Sequence, residues 1–273
     1  MTLHAASRES LVAAEARLDQ VLVDSATDPA VVGEQLYAFV ELLAREIPLR
    51  RAVADASSEA EARTQLVRRV LLGKVADATL HVLDEVVVNR WSSPRELLDG
   101  VQTLAGVALL VRAERDGTLG TVEDELFRTG RLVAANADLE RALADHAAPA
   151  ESKRTLVRTL FEGKANPVTV ILVENVVTLM RGRGLLFNLD ELAGQAATRR
   201  ERSVAHVISA SELSEEQQQQ LTERLQRIYS RPMALHVEVD PTVGGGLIVK
   251  VGDEVIDGSS AGHLDSLRRR LAS

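Results

Sequence analysis

The sequence predicts a mainly α-helical protein in which two tandem helical-bundle domains precede a small α+β domain. Residue usage favours helices, because Ala, Leu, Val, Arg and Glu are abundant and aromatic residues make up only 3% of the chain. Two further observations set the order of the domains. The first two thirds of the chain contain an internal repeat, and after Ser203 the spacing of apolar residues changes from that of a helix to that of a strand.

The repeat has a period of 90 residues. Gly73-Lys74 recurs as Gly163-Lys164, and the Leu-Val-Arg at 66–68 recurs at 156–158. Matches in this register continue along both stretches without a gap, which indicates duplication of a whole domain. We call residues 1–105 copy one and residues 106–203 copy two. Other matched pairs are Leu36 with Leu126, Tyr37 with Phe127, Ala44 with Ala134, Arg51 with Arg141 and Val86 with Val176.

Both copies are predicted to consist of helices. In copy one, apolar residues at helical spacing mark a first helix and a second helix over 32–44. Gly73 and its match Gly163 are expected to follow the last turn of a helix, a position that favours the left-handed conformation of glycine. The segments after these glycines, 75–88 and 166–180, are apolar nearly all round. We therefore expect them at the centre of each bundle.

A long amphipathic helix is predicted from Pro94 to about Arg115, where the two copies meet. At about 1.5 Å per residue it spans roughly 30 Å, and it serves as the last helix of copy one and the first helix of copy two. The closing helix of copy two is expected from about Leu189 to Arg202. Earlier in the chain, Ser57-Ser58 followed by Glu61 predicts a capped start for the helix that runs to Leu72.

Residues 204–273 are predicted to form a separate α+β domain with the element order β-α-β-β-β-α. Its strands show the alternation of apolar and polar residues that is typical of a half-buried sheet. The predicted elements are a strand over 204–208, a helix that starts at a Ser214/Gln217 capping box, strands over 235–239 and 247–251, a hairpin turn at Gly252-Asp253 before the next strand, and a final helix after Ser260.

Composition and charge disfavour several classes of protein. The chain has 32 basic and 40 acidic residues, a net charge of −8, and shows no sign of the basic face of a nucleic-acid-binding protein. It has no cysteine, and so no disulfide, thiol chemistry or cysteine metal site. The N-terminus is too charged for a signal peptide, and the apolar runs are too short to span a bilayer. We expect a cytosolic or peripheral protein with no direct membrane insertion.

No residue pattern points to catalysis, a cofactor or a metal site, and we predict that the chain is not an enzyme. Gly244-Gly245-Gly246 suggests a phosphate loop, but no Lys-Ser/Thr follows it and it leads into a strand rather than a helix. A turn where two backbone segments approach closely is favoured. None of the six histidines pairs with another at metal-ligand spacing. Trp91 is either an anchor for a partner or a core residue, and its size favours the core.

The C-terminal run Gly245–Ser259 carries a resemblance to a known family. It contains a glycine pair, an apolar strand, Gly-Asp and Ile-Asp-Gly-Ser, and this order resembles the C-terminal signature of the δ subunit of F-type ATP synthases, called the oligomycin-sensitivity-conferring protein in mitochondria. The similarity covers about Gly106 to Ser273. Copy one is a departure, because an ordinary δ subunit has one six-helix domain before its C-terminal domain. The chain is similar in this respect to the longer δ chains of actinobacteria.

The resemblance implies a non-catalytic stator component, peripheral at the cytoplasmic face of the bacterial cell membrane. In that family the helical domain grips the N-terminal helices of α subunits of the catalytic head, and the C-terminal domain holds the b subunits of the peripheral stalk, so that rotor torque is resisted.

The resemblance also implies where these partners bind. We expect the α helices in an apolar groove between the first and central helices of each copy. The candidate residues for this groove are Leu11, Leu18, Val82 and Val86 in copy one, and Leu104, Ala108, Leu172 and Val176 in copy two. The candidate region for the b subunits comprises Gly245, Gly246, Asp253, Ile256, Asp257, Gly258, Ser259, Leu264 and Leu267.

Two alternative functions remain at this point. A helical adaptor in an unrelated complex would share the groove for amphipathic helices but would not recognise α or b chains. A nucleotide-dependent regulatory protein is motivated only by Gly244–Gly246. Saturable nucleotide binding by the whole chain would favour the second alternative.

Overall fold

The computed structural model describes residues 3–24, 26–180, 184–229, 233–252 and 254–259. The chain forms two compact units, Met1–Ala196 and Ala197–Ser273, each with its own apolar core. The mainly helical fold class with a small α+β region at the C-terminal end is confirmed.

Eleven helices precede the first strand in the described part of the chain, and they follow the 90-residue repeat. The helix α6 occupies the repeat position of both α1 and α11, so the pattern α1–α6 recurs as α6–α11. The helices are α1 Ala5–Val23, α2 Pro29–Arg45, α3 Ile47–Ala54, α4 Ala60–Leu71, α5 Asp77–Val88, α6 Pro94–Arg115, α7 Leu119–Ala135, α8 Ala137–Ala144, α9 Ala150–Phe161, α10 Pro167–Thr178 and α11 Leu185–Arg202.

Local sequence signals account for many of these bounds. The predicted long helix is α6, whose first residue is Pro94 and whose N-cap Ser93 accepts a hydrogen bond from the Glu96 amide. Gly73 and Gly163 follow α4 and α9 with φ of 75° and 65°, as expected for residues beyond a helix end. The helix α11 begins at Leu185, earlier than the predicted start near Leu189.

The predicted cap of α4 is wrong. The helix starts at Ala60 with no side-chain cap, because Ser57 and Ser58 bind the Asp55 carboxylate instead. The Ser57 amide and hydroxyl donate to Oδ1 over 2.9 and 2.7 Å, which forms a local turn after α3. These hydrogen bonds lower the pKa of Asp55. The short helices α3 and α8 were not predicted from the sequence.

A continuous apolar core runs through the first unit, with side chains from both copies. Close approach of α2 to α6 is possible because residue 33 is glycine; a Cβ there would lie 2.9 Å from Leu109 Cγ. The division of this unit into domains at residue 105 stays a prediction. Large side chains that are fully buried include Leu18, Leu36, Leu83, Leu104, Leu126 and Leu172.

The second unit contains a four-stranded sheet with one face covered by a helix. The strands lie in the order β2-β1-β3-β4, with β1 parallel to β2 and the other neighbours antiparallel. The predicted order β-α-β-β-β is present, and the predicted final helix lies outside the described residues. The elements are β1 Val204–Ser209, α12 Glu215–Tyr229, β2 Ala234–Val239, a 3₁₀ turn Pro241–Val243, β3 Leu247–Val251 and β4 Glu254–Asp257.

The helix α12 begins at the predicted capping box. The Gln217 amide donates to Ser214 Oγ over 3.2 Å, and the Ser214 amide donates to Gln217 Oε1 over 2.9 Å. Leu225 on this helix joins the core of the sheet, which also contains Ala205, Val207, Met233, Val249 and Val251. The side chains on one face of the sheet thus hold the helix.

Candidate functional site

Seven of the eight candidate residues for helix binding are core residues in this structure. Leu18, Val82, Val86, Leu104, Ala108, Leu172 and Val176 are buried, and Leu11 is partly buried. These side chains pack between the paired helices whose outer faces would form the two walls of a groove. The side chains that a partner can contact are therefore neighbours on the same helices. On α1 such a neighbour is Val12, which is 65% exposed, and on α5 the exposed neighbours include His81 and Val88.

The corresponding face in copy two is covered from within the first unit. The repeat register places Gln102 and Gly106 of α6 at the positions of Val12 and Ala16 of α1. These α6 residues line a cavity of about 80 Å³ together with Tyr37 and residues of α10 and α11. Burial of Tyr37 raises the pKa of its hydroxyl. The first-helix face is thus exposed at Val12 in copy one and partly covered at Gln102 in copy two.

An ion pair joins the two copies on the side of α2. Arg154 of α9 in copy two contacts the Glu41 carboxylate of α2 in copy one, and it also donates to Glu151 on its own helix over 2.6 Å. Both Glu41 and Arg154 are partly buried. The contact ties copy one and copy two at a point that the apolar periodicity did not predict.

An apolar groove that the sequence analysis also missed lies between α7 and α11. It has a volume of about 390 Å³, and Phe127 and Phe187 on its walls are 56% and 43% exposed. The sequence signal was present in the pairing of Phe127 with Tyr37 across the repeat, since an aromatic residue recurs at this position.

Most of the candidate b-binding residues meet where β3 starts and β4 ends. The Gly258 amide donates to the Leu247 carbonyl over 2.9 Å, and the Ser259 amide and hydroxyl donate to Asp257 Oδ1. Gly245 and Gly246 precede β3, and Ile256 on β4 is exposed. Asp253, Leu264 and Leu267 lie outside the described residues.

The glycine run 244–246 forms a turn of closely approaching backbones, as predicted. Its three residues have φ of 71°, 130° and 78°, and a Cβ on Gly246 would lie 2.3 Å from the Gly258 carbonyl oxygen. The turn leads into β3 and therefore presents no helix N-terminus to an anion.

Trp91 is a core residue, which confirms the favoured interpretation of this side chain. It is buried, and its Nε1 donates to the Val86 carbonyl over 2.8 Å. Gly100 of α6 makes room for the indole, since a Cβ there would lie 2.2 Å from Trp91 Cη2.

Among the residues that the structure describes, no three His, Asp or Glu side chains are grouped as a metal site would require. His206 and His236 are neighbours on β1 and β2, with ring centroids 5.4 Å apart, and both are exposed. No helix in the described ranges combines the length and apolar character needed to cross a membrane.

Comparison with known proteins gives the family. The family model described as ATP synthase delta (OSCP) subunit matches residues 106–271. The chain belongs to this family. A relative from Nocardia farcinica, named ATP synthase subunit delta, is 46% identical over 99% of this chain and 100% of its own length. Relatives of the same name from Streptomyces griseus and Corynebacterium diphtheriae are 44% and 43% identical, each over 99% of this chain and all of their own length. This δ-family chain therefore shares its extra helical copy with full-length actinobacterial relatives.

Proposed function

We propose that the chain is the peripheral-stalk subunit that links α subunits of the catalytic head of an F-type ATP synthase to the b subunits. The family membership over nearly the whole length of actinobacterial δ subunits carries this proposal. In this role it is a non-catalytic subunit that needs no cofactor. It lies peripherally at the cytoplasmic face of the bacterial membrane.

The architecture of the first unit supports a role in resisting torque. Its two helical copies share one core and one helix, α6, so bending copy one against copy two would break packed contacts. The Glu41–Arg154 ion pair adds a further tie across the copies. A stator must hold its shape while its ends are loaded, and a hinge between the copies would defeat that purpose.

We propose that an α-subunit helix binds between α1 and α5 of copy one. Val12 and Val88 provide exposed apolar contacts there, while Leu18, Val82 and Val86 support the walls from below. The candidate residues of copy two, Leu104, Ala108, Leu172 and Val176, lie in the shared core, and their part is to hold the equivalent helix pair in place. For the b subunits we propose the end of the sheet near Ile256, with its buried neighbour Ser259.

The test is capture of each partner by the full-length chain with point substitutions at exposed residues. We expect tagged α subunit and tagged b subunit each to retain the parent chain. Val12→Asp should lose α and keep b, and Ile256→Asp should lose b and keep α, because each places a charge on one apolar contact surface. Leu72→Asp, at another exposed residue, is the matched control.

Circular dichroism and thermal unfolding establish that each variant is folded. A parent chain that captures neither α nor b contradicts the proposal. Capture of amphipathic helices from other complexes in its place would make the chain a helical adaptor.

A further inference from the structure

A polar cavity lies in the first unit, at the place where α2, α6, α10 and α11 meet. Its volume is about 80 Å³. Its lining includes Tyr37 of α2, Gly106 of α6, Val176 of α10 and Gln195 of α11. The cavity is therefore built from residues of helices, which hold side chains more precisely than loops do.

Two polar groups without partners converge on Gly106 in this cavity. A Cβ on Gly106 would lie 3.4 Å from Tyr37 Oη and 3.6 Å from Gln195 Oε1. Within the ranges of the chain that the structure describes, neither the Tyr37 hydroxyl nor the Gln195 amide makes a hydrogen bond. Tyr37 is only 5% exposed, and a buried polar group normally has a hydrogen-bond partner. A molecule beside Gly106 would supply a partner to both groups.

The internal repeat indicates that these polar groups are not needed to pack the helices. Copy two has Phe127 at the position of Tyr37, which keeps the aromatic ring without the hydroxyl. At the position of Gln195, copy one has Ala105, which has no polar side chain. The hydroxyl and the amide are thus additions to the repeated pattern, and they meet at one cavity. This combination favours a binding role over a packing role.

The charged side chains of the lining favour an uncharged ligand. Arg95, Asp99 and Glu191 line the cavity, and each of them already has an interaction partner. An ion would therefore enter without a free counter-charge, and burying an unpaired ion is costly. Burial raises the pKa of the Tyr37 hydroxyl, so this group keeps its proton and can donate it in a hydrogen bond. The ligand needs an acceptor for Tyr37 and a donor for Gln195 Oε1.

The volume of the cavity limits the size of the ligand. A protein cavity of about 150 Å³ holds benzene, so this one suits a molecule of roughly four non-hydrogen atoms. A primary amide of that size carries an acceptor and a donor on the same carbon. Val176 and Leu192 provide apolar contacts for its hydrocarbon part.

We propose that the cavity beside Gly106 binds a small uncharged molecule of the primary amide class. Its carbonyl oxygen accepts from the Tyr37 hydroxyl, and its N–H donates to Gln195 Oε1. The site is distinct from the exposed contacts proposed for α and b subunits, and it does not depend on the proposed stator function.

Acetamide, acetate and acetamidinium test the proposal, because they share one skeleton and are uncharged, anionic and cationic. Each is titrated into the full-length chain with labelled Val and Leu methyl groups, observed by NMR. We expect saturable shifts of the Val176 and Leu192 methyls, with a dissociation constant of about 1 mM for acetamide. The two ions should bind at least about fivefold more weakly. The methyls of Leu72, which is 71% exposed, should show no saturable shift.

Tyr37→Phe removes the hydroxyl and keeps the ring. It should weaken acetamide binding by about fivefold to tenfold, because one hydrogen bond is lost. Tyr229→Phe is the matched control, since it removes the hydroxyl of the other tyrosine, which donates to Glu254 over 2.8 Å. Gln195→Glu should shift the preference to acetamidinium, because a carboxylate then replaces the amide.

Gly106→Ser fills the cavity from within and brings a hydroxyl towards Tyr37 and Gln195. It should abolish acetamide binding in a chain that circular dichroism shows to be folded; if this variant does not fold, Tyr37→Phe decides. Absence of saturable shifts up to about 100 mM acetamide would overturn the proposal and leave ordered water as the partner of both groups. Equal binding of the three probes, parent-like binding by Tyr37→Phe, or binding that persists in folded Gly106→Ser would overturn it as well.

Discussion

At the scale of single residues, two buried cations occupy equivalent places at the ends of the central helices. Arg63 donates to the carbonyls of Val87 and Val88 over 2.8 and 3.1 Å. These carbonyls lie in the last turn of α5, where no later helical amide is present to donate to them. Its match in copy two, Lys153, donates through Nζ to the Val177 carbonyl over a longer 3.3 Å. Burial lowers the pKa of Lys153. A guanidinium suits this position better than an ammonium, because its planar set of N–H donors can bind several carbonyls at once.

Lys153→Arg should therefore stabilise the first unit by about 1 kcal/mol, through an added hydrogen bond to the end of α10. The reciprocal change, Arg63→Lys, should destabilise it by a similar amount. Urea unfolding followed by circular dichroism measures both free energies. If Arg63→Lys is neutral while Lys153→Arg destabilises, the carbonyl contacts do not contribute in the way inferred.

Glu96 gives a residue-scale prediction for pH dependence. Burial acts to raise its pKa, but hydrogen bonds from Ser7 and His4 outweigh burial, and the pKa of Glu96 is lowered from its ordinary value of 4.5. The folded state thus favours the ionised carboxylate. Its contribution to stability is present above the unfolded pKa and is lost as pH falls through the lower folded pKa.

Glu96→Gln should make the free energy of unfolding less dependent on pH below about 4.5, with little change in slope near neutrality. Parallel urea titrations of parent and variant across the acidic range give this difference. A variant that keeps the parent's slope at acidic pH would show that other carboxylates account for it.

At the scale of elements, two glycines inside helices meet opposite surroundings. Gly100 of α6 faces Trp91, where a Cβ would lie 2.2 Å from Cη2, while a Cβ on Gly130 of α7 would meet open space. Glycine lowers helix stability relative to alanine by about 1 kcal/mol in both places. Only at Gly100 does packing require it.

Gly130→Ala should raise the stability of the first unit by up to about 1 kcal/mol. Gly100→Ala should lower it by about 1–3 kcal/mol, because the indole must move out of its site. Thermal unfolding of the two variants compares them directly. Trp91 fluorescence should change in Gly100→Ala alone, and equal effects of the two substitutions would contradict this account.

The helices were predictable where their signals are local. The Ser214/Gln217 box needs only residues three apart, and it forms as predicted. Ser57 and Ser58 failed as caps because Asp55, a competing acceptor close in sequence, takes their hydrogen bonds. Short helices such as α3 contain too few turns for a periodic spacing of apolar residues to be recognised in the sequence.

The candidate binding residues show what the spacing of apolar residues in the sequence cannot distinguish. An apolar stripe identifies a buried face and a partner-binding face by the same spacing, so Leu18 and Val86 fit either role until packing is known. Tyr37 and Phe127 are matched residues with opposite exposure, because Tyr37 packs against α6 beside Gly106, whereas Phe127 lies on the open groove between α7 and α11. That difference arises from tertiary packing and has no counterpart in local sequence.

At the scale of the whole molecule, the two copies behave as one body in the first unit. They share a core and are joined by α6 and by the Glu41–Arg154 ion pair. Such a body should unfold in one transition rather than copy by copy, since neither copy retains its apolar contacts when the other opens. The groove between α7 and α11 lies at the surface of this body.

A double-mutant cycle measures the tie between the copies. Glu41→Gln and Arg154→Gln should each destabilise the first unit, and the coupling free energy should be about 0.5–1 kcal/mol, given the partial burial of both groups. Arg131→Gln at the position that matches Glu41 is the control, and it should show no coupling with Arg154→Gln. A coupling free energy near zero between Glu41 and Arg154 would mean that the ion pair adds little, and that the shared apolar core is the main connection between the two copies.

The helix α6 also has a consequence for how such chains arise. It ends one copy and begins the next, and both copies follow the same 90-residue period. Recombination between the two halves of the gene would remove or add 90 codons in frame and would join one helix to the next in register. Subunits with one, two or three helical copies are therefore separated by single genetic steps, and none of these steps has to create a linker.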